Sequence, residues 1–289
     1  MSAVRPRRSA LYVPGANARA LEKAAGLAAD VVIVDLEDAV APSAKEEARA
    51  AAVRAIGRGM GRREVVLRVN GADTPWGAAD LAAAATSGAQ AVLLPKVDGP
   101  EAVREAEARL EAAGAPPDQE IWAMVETPRG VLRVDAIAGA SPRLGCLVAG
   151  TSDLVKDLRA RHTPARIEVL ASLSLVVLAA RAHGRTALDG VHLDLADDAG
   201  FAAACRQGRD LGFDGKTLIH PRTIEVANAT FGPSGEEVAA ARRIIEAHAA
   251  ADAAGKGVVV VDGRLVEALH VAEARRVVAL AAAIATGRD

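Results

Sequence analysis

The chain has 289 residues, of which 51% are hydrophobic, so it is long enough for one large α/β domain with a substantial core. Its 35 basic residues nearly balance its 37 acidic residues, and the resulting net charge of -2 argues against binding to nucleic acid or to an anionic membrane. Aromatic residues make up only 2% of the chain, which excludes a stacking surface for single-stranded nucleic acid.

The two cysteines and the N-terminus indicate the expected compartment. Cys146 lies in an apolar run and Cys205 in an alanine-rich helical run, so we predict two buried thiols rather than a disulfide or a metal pair. The apolar run Ser9–Val13 is too short for a secretion signal, and no apolar stretch of about 18 residues lacks a charge. We therefore expect a soluble cytoplasmic protein.

Short apolar runs alternate with helical segments along most of the chain. A nearly continuous apolar run is typical of a strand in a buried parallel sheet. The predicted strands are Ser9–Val13, Val31–Asp35, Val65–Val69, Gln90–Leu94, two runs that begin at Ile121 and Leu144, Asp189–Leu193 and Gly215–Ile219. The predicted helices between them are Ala18–Leu27, a helix that begins near Ser43 with a capping box to Glu46, Trp76–Thr86, Pro100–Ala113, Gly130–Ala138, Arg166–His183 and Phe201–Leu211.

Eight strand–helix units in a chain of this size predict an α/β fold of the (β/α)₈ or TIM barrel type. The lack of a Gly-x-Gly-x-x-Gly motif argues against a doubly wound dinucleotide-binding sheet. We assign residues 1–230 to the barrel and 231–289 to a C-terminal arm, with helices over Ser234–Gly255 and Val271–Ala285 and a strand over Gly257–Asp262. Such an arm either covers the barrel mouth or packs on a neighbouring subunit, and the second option implies an oligomer.

Polar and charged residues follow several of the predicted strands. Because the active site of such a barrel lies at the carboxyl ends of its strands, we expect these side chains to converge. The group has more carboxylates than arginines, which predicts a bound cation, and its lack of clustered His or Cys favours Mg²⁺ over zinc. Its members are Arg8 just before strand one, Glu37 and Asp38 after strand two, Arg68 and Asn70 at strand three, Lys96, Glu126 and Asp153.

Other interpretations of these residues stay open. The carboxylates can simply cap the helices that follow them, and Arg68 can form a structural ion pair. A Schiff-base aldolase is a rival chemistry, since it needs a lysine at the barrel mouth. Lys216 starts strand eight and would lie at the wrong end, whereas Lys96 is at the right end but has carboxylate neighbours that stabilise its ammonium form.

Seven short motifs extend over nearly the whole chain. They are Arg8-Ser-Ala-Leu-Tyr-Val-Pro-Gly15, Asp35-Leu-Glu-Asp-Ala-Val40, Leu67-Arg-Val-Asn70, Leu94-Pro-Lys-Val97, Met124-Val-Glu-Thr127, Gly150-Thr-Ser-Asp-Leu154 and Gly212-Phe-Asp-Gly-Lys-Thr-Leu-Ile-His-Pro221. In this order they resemble the motifs of the citrate lyase β-subunit-like proteins. Those proteins belong to the HpcH/HpaI superfamily, which also includes the 4-hydroxy-2-oxo-heptanedioate aldolases.

The resemblance implies a Mg²⁺-dependent barrel, usually a homotrimer or hexamer, that cleaves or forms a carbon–carbon bond in a 3-hydroxyacyl-CoA thioester. It implies that Glu126 and Asp153 bind the metal, and that Arg68 contacts the 2-oxo acid (oxaloacetate, glyoxylate or pyruvate) or the developing enolate. We therefore predict a carbon–carbon lyase that yields an acyl-CoA and a 2-oxo acid. A malyl-CoA-type thioesterase and the β subunit of a citrate lyase complex are the alternatives.

The resemblance also gives the arm a role. In malyl-CoA and citramalyl-CoA lyases the arm carries an Asp soon after an Asp-Gly turn, and that Asp acts as an acid/base in a neighbour's active site. Here the stretch Asp262-Gly-Arg-Leu-Val-Glu267 has Glu267 at that position, and Glu reaches about one methylene further. The predicted catalytic residues are thus Arg68, Glu126, Asp38 and Glu267, and the predicted substrate-binding residues are Arg68, Glu126, Arg8 and Glu37.

Overall fold

The computed structural model of the protein describes residues 4–253, 255 and 258–287. Eight parallel strands form a closed barrel in sequence order, with the last strand paired to the first. The predicted (β/α)₈ barrel is therefore confirmed. The strands are β1 (Ser9–Pro14), β2 (Val31–Asp35), β3 (Glu64–Arg68), β4 (Ala91–Leu94), β5 (Glu120–Val125), β6 (Leu144–Ala149), β7 (Thr186–Asp189) and β8 (Gly215–Leu218).

Helices surround the barrel and bury the outward faces of the strands. This arrangement leaves both faces of the sheet covered, which explains why the strands are almost wholly apolar. The helices that follow strands β1 to β8 are α1 (Ala18–Ala24), α2 (Lys45–Gly57), α3 (Gly77–Thr86), α4 (Pro100–Ala112), α5 (Pro128–Leu132), α6 (Val134–Ala138), α7 (Thr151–Asp157), α8 (Leu170–Ala182), α9 (Asp198–Leu211) and α10 (Ile224–Phe231).

Alternate residues of the strands fill the interior of the barrel. Their side chains form one continuous apolar cluster, which closes the barrel below the ends of the strands. Both cysteines are free and buried, as predicted. The interior cluster consists of Ala10, Val31, Ile33, Val66, Ala91, Leu93, Trp122, Met124, Cys146, Val148 and Leu188.

Three local predictions from the sequence were wrong. A 3₁₀ turn precedes α2, and the cap residue Ala44 makes no side-chain bond, so no capping box forms at Ser43. The seventh strand ends at Asp189 instead of beginning there, because that buried carboxylate pairs with Lys216 and Arg166. The helix predicted to begin at Arg166 begins at Leu170, since Arg166 adopts a positive φ of 56° in the loop.

The chain divides into two compact units, Arg7–Asn228 with the barrel, and a second unit formed by the residues from Ala229 onward together with those up to Pro6. In the second unit, α11 (Gly235–Ala253) packs on α12 (Ala268–Thr286), and β9 (Val259–Val261) pairs antiparallel with β10 (Arg264–Val266).

Strand β10 was not predicted. The predicted helix end near Gly255 and the predicted strand start at Gly257 fall partly outside the described residues. No helix among those described has the length and apolar character needed to cross a bilayer.

Candidate active site

The centre of the barrel mouth is an ion pair between Asp35 and Arg68. These residues end β2 and β3 and are direct partners in the strand register. Arg68 donates from Nε to Asp35 Oδ1 and from Nη2 to Asp35 Oδ2, each at 2.7 Å. The two side chains are 1% and 8% exposed, so the pair lies almost out of water and its geometry is fixed from both strands.

Two further carboxylates from the loop after β2 approach the same guanidinium. Glu37 Oε2 lies 2.8 Å from Arg68 Nη1, and Asp38 Oδ2 lies 3.5 Å from it. Burial raises the pKa of the Glu37 carboxyl, although the positive charge of Arg68 opposes the rise. Asp38 is mostly exposed and caps no helix, since Ala41 and Ala44 occupy the cap positions that follow.

Glu126 follows β5 and points into the same region. Its Oε1 accepts a hydrogen bond of 2.7 Å from the backbone N–H of Lys96. The cap of α5 is formed by Thr127 instead, whose hydroxyl accepts from the N–H of Gly130. Burial, followed by the negative charges of Glu37 and Asp153, raises the pKa of Glu126 to about 8. Among the described residues Glu126 forms no ion pair, and the charge of Arg68 only partly opposes the rise of its pKa.

Gly150 and Asp153 join this group from the next strand. Gly150 lies against Glu126, so that a Cβ on the glycine would come within 2.2 Å of Glu126 Cβ and 2.6 Å of its Oε2. Only a glycine leaves room for the glutamate here. Asp153 is half-buried in the first turn of α7, where the helix dipole favours a negative charge, and it acts electrostatically on both Glu126 and Lys96.

The donor set suits a hard cation. Among the residues that the structure describes, no three His, Cys, Asp or Glu side chains form a ready-made metal cage. Glu126 and Asp153 nevertheless raise the electrostatic energy of one another, and a divalent cation held by both would remove that repulsion. Two carboxylates, with water and substrate oxygens completing the shell, are a common arrangement for Mg²⁺.

Lys96 is poorly suited to imine chemistry. Its Nζ lies 3.6 Å from Glu37 Oε1. Burial lowers the pKa of Lys96, but the charges of Glu37, Asp153 and Asp38 outweigh burial, and the net shift is upward. The other lysine considered, Lys216, is buried against Asp189 at 2.7 Å in the sheet. The mouth therefore offers an ammonium ion rather than a free amine.

Arg8 was wrongly predicted to lie at this site. It precedes β1, so it lies at the amino end of the barrel, opposite the mouth. There its guanidinium and its backbone N–H donate to the carboxylate of Asp30, at distances of 2.7 and 2.8 Å. The prediction was wrong because Arg8 stands in front of its strand, and a residue there cannot reach the carboxyl end of the same strand.

Glu267 lies in the second compact unit, where it is the N-cap residue of α12. Its backbone N–H donates to His270 Nδ1 at 3.0 Å, and its side chain is exposed. The hairpin that precedes it turns at Asp262 and Gly263, which both have positive φ.

The structure adds to the site three residues that were not predicted from the sequence. Asp35 holds Arg68, and Tyr12 lies with its ring centre 4.8 Å from the Arg68 guanidinium. Lys45 is buried and donates to the carbonyl oxygens of Leu36 and Glu37 and to Asn70 Oδ1, which fixes the loop after β2. Asp35 carried a signal in the sequence, because it is a charged residue at the end of an apolar strand.

A cavity of about 320 Å³ opens beside this cluster. Its volume lies at the small end of the range for small-molecule sites. Both polar and apolar side chains line the cavity. The lining residues include Glu37, Asp38, Lys96, Val40, Pro42 and Trp76.

Comparisons with known proteins show the family to which the chain belongs. Residues 8–221 match the family described as HpcH/HpaI aldolase/citrate lyase. A (3S)-malyl-CoA thioesterase of Cereibacter sphaeroides is 51% identical over 98% of this chain and 97% of its own. The citrate lyase subunit beta of Escherichia coli is 38% identical over 96% of this chain and 94% of its own. A further relative is the CitE protein of Mycobacterium tuberculosis, whose structure was solved with magnesium, acetoacetate and coenzyme A. It is 33% identical, the match covers 95% of this chain and 97% of its own, and the TM-score is 0.75.

Proposed function

The chain belongs to the HpcH/HpaI aldolase/citrate lyase family, and from this premise we propose that it is a Mg²⁺-dependent enzyme that hydrolyses a 3-hydroxyacyl-CoA thioester of the malyl-CoA type. The observation that carries the proposal is the buried Glu126 carboxyl, whose pKa is raised by burial and by the nearby negative charges of Glu37 and Asp153. The 51% identity to a (3S)-malyl-CoA thioesterase over nearly the full length supports the choice of reaction.

Each residue of the site has a separate task in this proposal. Glu126 and Asp153 would hold Mg²⁺. When bound, the ion supplies a positive charge that polarises substrate oxygens, and this would stabilise the transition state by several kcal/mol. Arg68 binds the acid portion of the substrate, and Asp35 fixes the plane of its guanidinium. Glu37 holds the outer edge of the same guanidinium and borders the cavity.

Proton transfer requires groups that can exchange with solvent. Asp38 borders the cavity and its carboxylate is 62% exposed, so we propose that it accepts the proton of the attacking water as a general base. The water oxygen bonds to the thioester carbon, the carbon–sulfur bond breaks, and the products are a free acid and the thiol of CoA. We propose that Glu267 donates a proton to the leaving sulfur. This assignment rests on the resemblance of the arm to that of related lyases.

A carbon–carbon lyase is the second candidate. The family description and the 38% identity to a citrate lyase β subunit favour it. In that case malyl-CoA would break between carbons and release acetyl-CoA with glyoxylate, and a homologue with one more carbon on the acyl side would release propionyl-CoA with a 2-oxo acid. A third candidate is a citrate lyase subunit that needs an acyl carrier partner.

One assay separates these candidates. The purified chain is incubated with (3S)-malyl-CoA and MgCl₂, and free thiol, acetyl-CoA and glyoxylate are each measured. Free thiol with malate supports hydrolysis, whereas glyoxylate with acetyl-CoA in equal amounts would replace it with the lyase. No product from any CoA thioester would favour the carrier-dependent subunit.

We also propose that the chain acts in the cytoplasm as a homotrimer or hexamer. The proposal rests on the likeness of the arm to arms that reach a neighbouring subunit in related lyases. Light scattering coupled to gel filtration tests it, since a monomer at micromolar concentration would contradict it.

A further inference from the structure

Tyr12 lies in β1 next to the Asp35–Arg68 ion pair. It lies two residues after Ala10 in β1, so strand alternation directs both side chains into the barrel interior, where Tyr12 packs on the apolar cluster. One face of its ring lies against the Arg68 guanidinium, with 4.8 Å between the ring centre and Cζ. The ring therefore packs against the guanidinium of Arg68 and supports it from within the barrel.

The hydroxyl of Tyr12 is buried and has no hydrogen-bond partner among the described residues. Three carboxylate oxygens of the site already accept hydrogen bonds from other groups. Both oxygens of Asp35 accept from Arg68 and from backbone N–H groups, and Glu126 Oε1 accepts from the N–H of Lys96. A buried donor without an acceptor is unfavourable and rare in folded proteins, so this one requires an explanation.

The hydroxyl is suited to donate rather than to accept. Burial raises the pKa of the phenol, and the negative charges of Asp35, Glu126 and Glu37 act in the same direction, against the lowering effect of Arg68. The group therefore keeps its proton throughout the range in which the enzyme would work. Next to an arginine and a candidate metal site, such a donor complements an anionic or carbonyl oxygen.

We infer that the Tyr12 hydroxyl donates a hydrogen bond to a carboxylate or carbonyl oxygen of the acid portion of the substrate, and so positions that portion beside Arg68. This inference rests on the proposed function for the identity of the substrate. It makes Tyr12 a substrate-binding residue whose partner arrives only with the ligand. No described protein group pairs with the hydroxyl, so a ligand oxygen can accept its hydrogen bond without breaking a bond within the protein.

The variant Tyr12→Phe tests the inference, because it removes the hydroxyl and keeps the ring on Arg68. We expect KM for (3S)-malyl-CoA to rise about tenfold with a smaller change in kcat, as for the loss of a ground-state contact. We also expect no loss in the urea midpoint, since no bond is removed from the free protein. The control Thr217→Val removes a buried hydroxyl that does donate, to Asp189 O at 3.0 Å, and should lower the midpoint.

Two results would overturn the inference. One is a KM for Tyr12→Phe within about twofold of the wild type, which would mean that a water takes the hydrogen bond. The other is a rise in KM accompanied by a lower urea midpoint, as in the Thr217→Val control. Either result would show that the hydroxyl does not bind substrate.

A second measurement stays informative even if the wild type turns over no malyl-CoA, in which case the proposed function fails first. Tyr12 is the single tyrosine of the chain, so protein labelled with ¹³C at the tyrosine ζ carbon gives one resonance. Titration with (3S)-malate and MgCl₂ should shift this resonance as the hydroxyl gains its acceptor. An unmoved resonance at malate concentrations that saturate a thermal-shift response would refute the role of Tyr12.

Discussion

Asp35 and Arg68 stand opposite each other at the ends of two adjacent strands, and their bidentate pair holds a guanidinium in a fixed plane at the barrel mouth. The pair is buried, so its strength depends on both partners being present. Because Tyr12 supports the guanidinium on one face and Glu37 binds its outer edge, the arginine is held before any substrate arrives.

Asp35→Asn should therefore affect both stability and binding. The amide cannot accept both N–H groups of Arg68, and one partner of a buried pair is left uncompensated, so we expect a loss of about 3 kcal/mol in the free energy of unfolding. KM should rise as well, because Arg68 loses its fixed orientation. Urea unfolding and steady-state kinetics measure the two effects. The exposed pair of Glu105 and Arg109 supplies the control, since Glu105→Gln should change stability by less than about 0.5 kcal/mol.

The metal assignment predicts a different pattern for two other carboxylates. Glu126→Gln and Asp153→Asn should each lower turnover by about 10² or more, since each removes charge from the group that stabilises the transition state. Asp157→Asn, an exposed position at the end of the same helix as Asp153, is the matched control and should leave turnover unchanged. Full activity of the Glu126 or Asp153 variant, or of wild type treated with EDTA, would contradict the assignment.

The strand ends were predictable from the sequence because burial on both faces gives each strand an apolar run that stops at a charge. Val31–Asp35 was predicted with its observed bounds, and Glu126 was located from the same pattern. The pattern fails where a charged residue is itself buried. Asp189 reads as the start of a strand, and only its tertiary partners Lys216 and Arg166 show that it is the end.

The interactions of the site depended on distant neighbours that no local pattern encodes. From the sequence, Tyr12 is an ordinary core aromatic residue. Its contact with Arg68 joins two residues that lie 56 positions apart in the chain. The hairpin of the arm is a different case. Asp262-Gly263 lies between apolar, mostly β-branched runs and is a known turn signal, so the second strand could have been predicted from it.

Mg²⁺ binding should release a proton. In the metal-free protein the pKa of Glu126 is raised to about 8, chiefly by burial, so at pH 7 the group is mostly protonated. The metal requires the carboxylate, and its apparent affinity should therefore fall about tenfold for each pH unit below 8 and level off above that value. Calorimetry at pH 7 in two buffers of different ionisation enthalpy should detect close to one proton released, and Glu126→Gln should release none. An affinity that does not vary between pH 6 and 8 would contradict this linkage.

Gly150→Ala should distort the site without changing any charge. The new methyl group would meet the side chain of Glu126 within 2.2 Å, and overpacking of this kind typically costs about 1 to 3 kcal/mol. We expect lower stability and weaker Mg²⁺ binding together. Gly57→Ala, at the end of α2 with open space around its Cβ position, is the control and should be neutral or slightly stabilising. Normal Mg²⁺ affinity in Gly150→Ala would show that Glu126 does not need its present position.

The arm provides the last prediction, because Glu267 has both a structural and a proposed chemical role. As the N-cap residue of α12 it can be replaced by Asn or Asp, which are both good caps, so neither variant should destabilise the helix. Only Asp keeps a carboxylate. If Glu267 transfers a proton, Glu267→Asn should lower turnover by about 10² while Glu267→Asp stays within about tenfold of the wild type. Circular dichroism confirms the helix content of both variants, and product assays give the rates. Equal rates for the Asn and Asp variants would remove Glu267 from the reaction and leave proton transfer to Asp38.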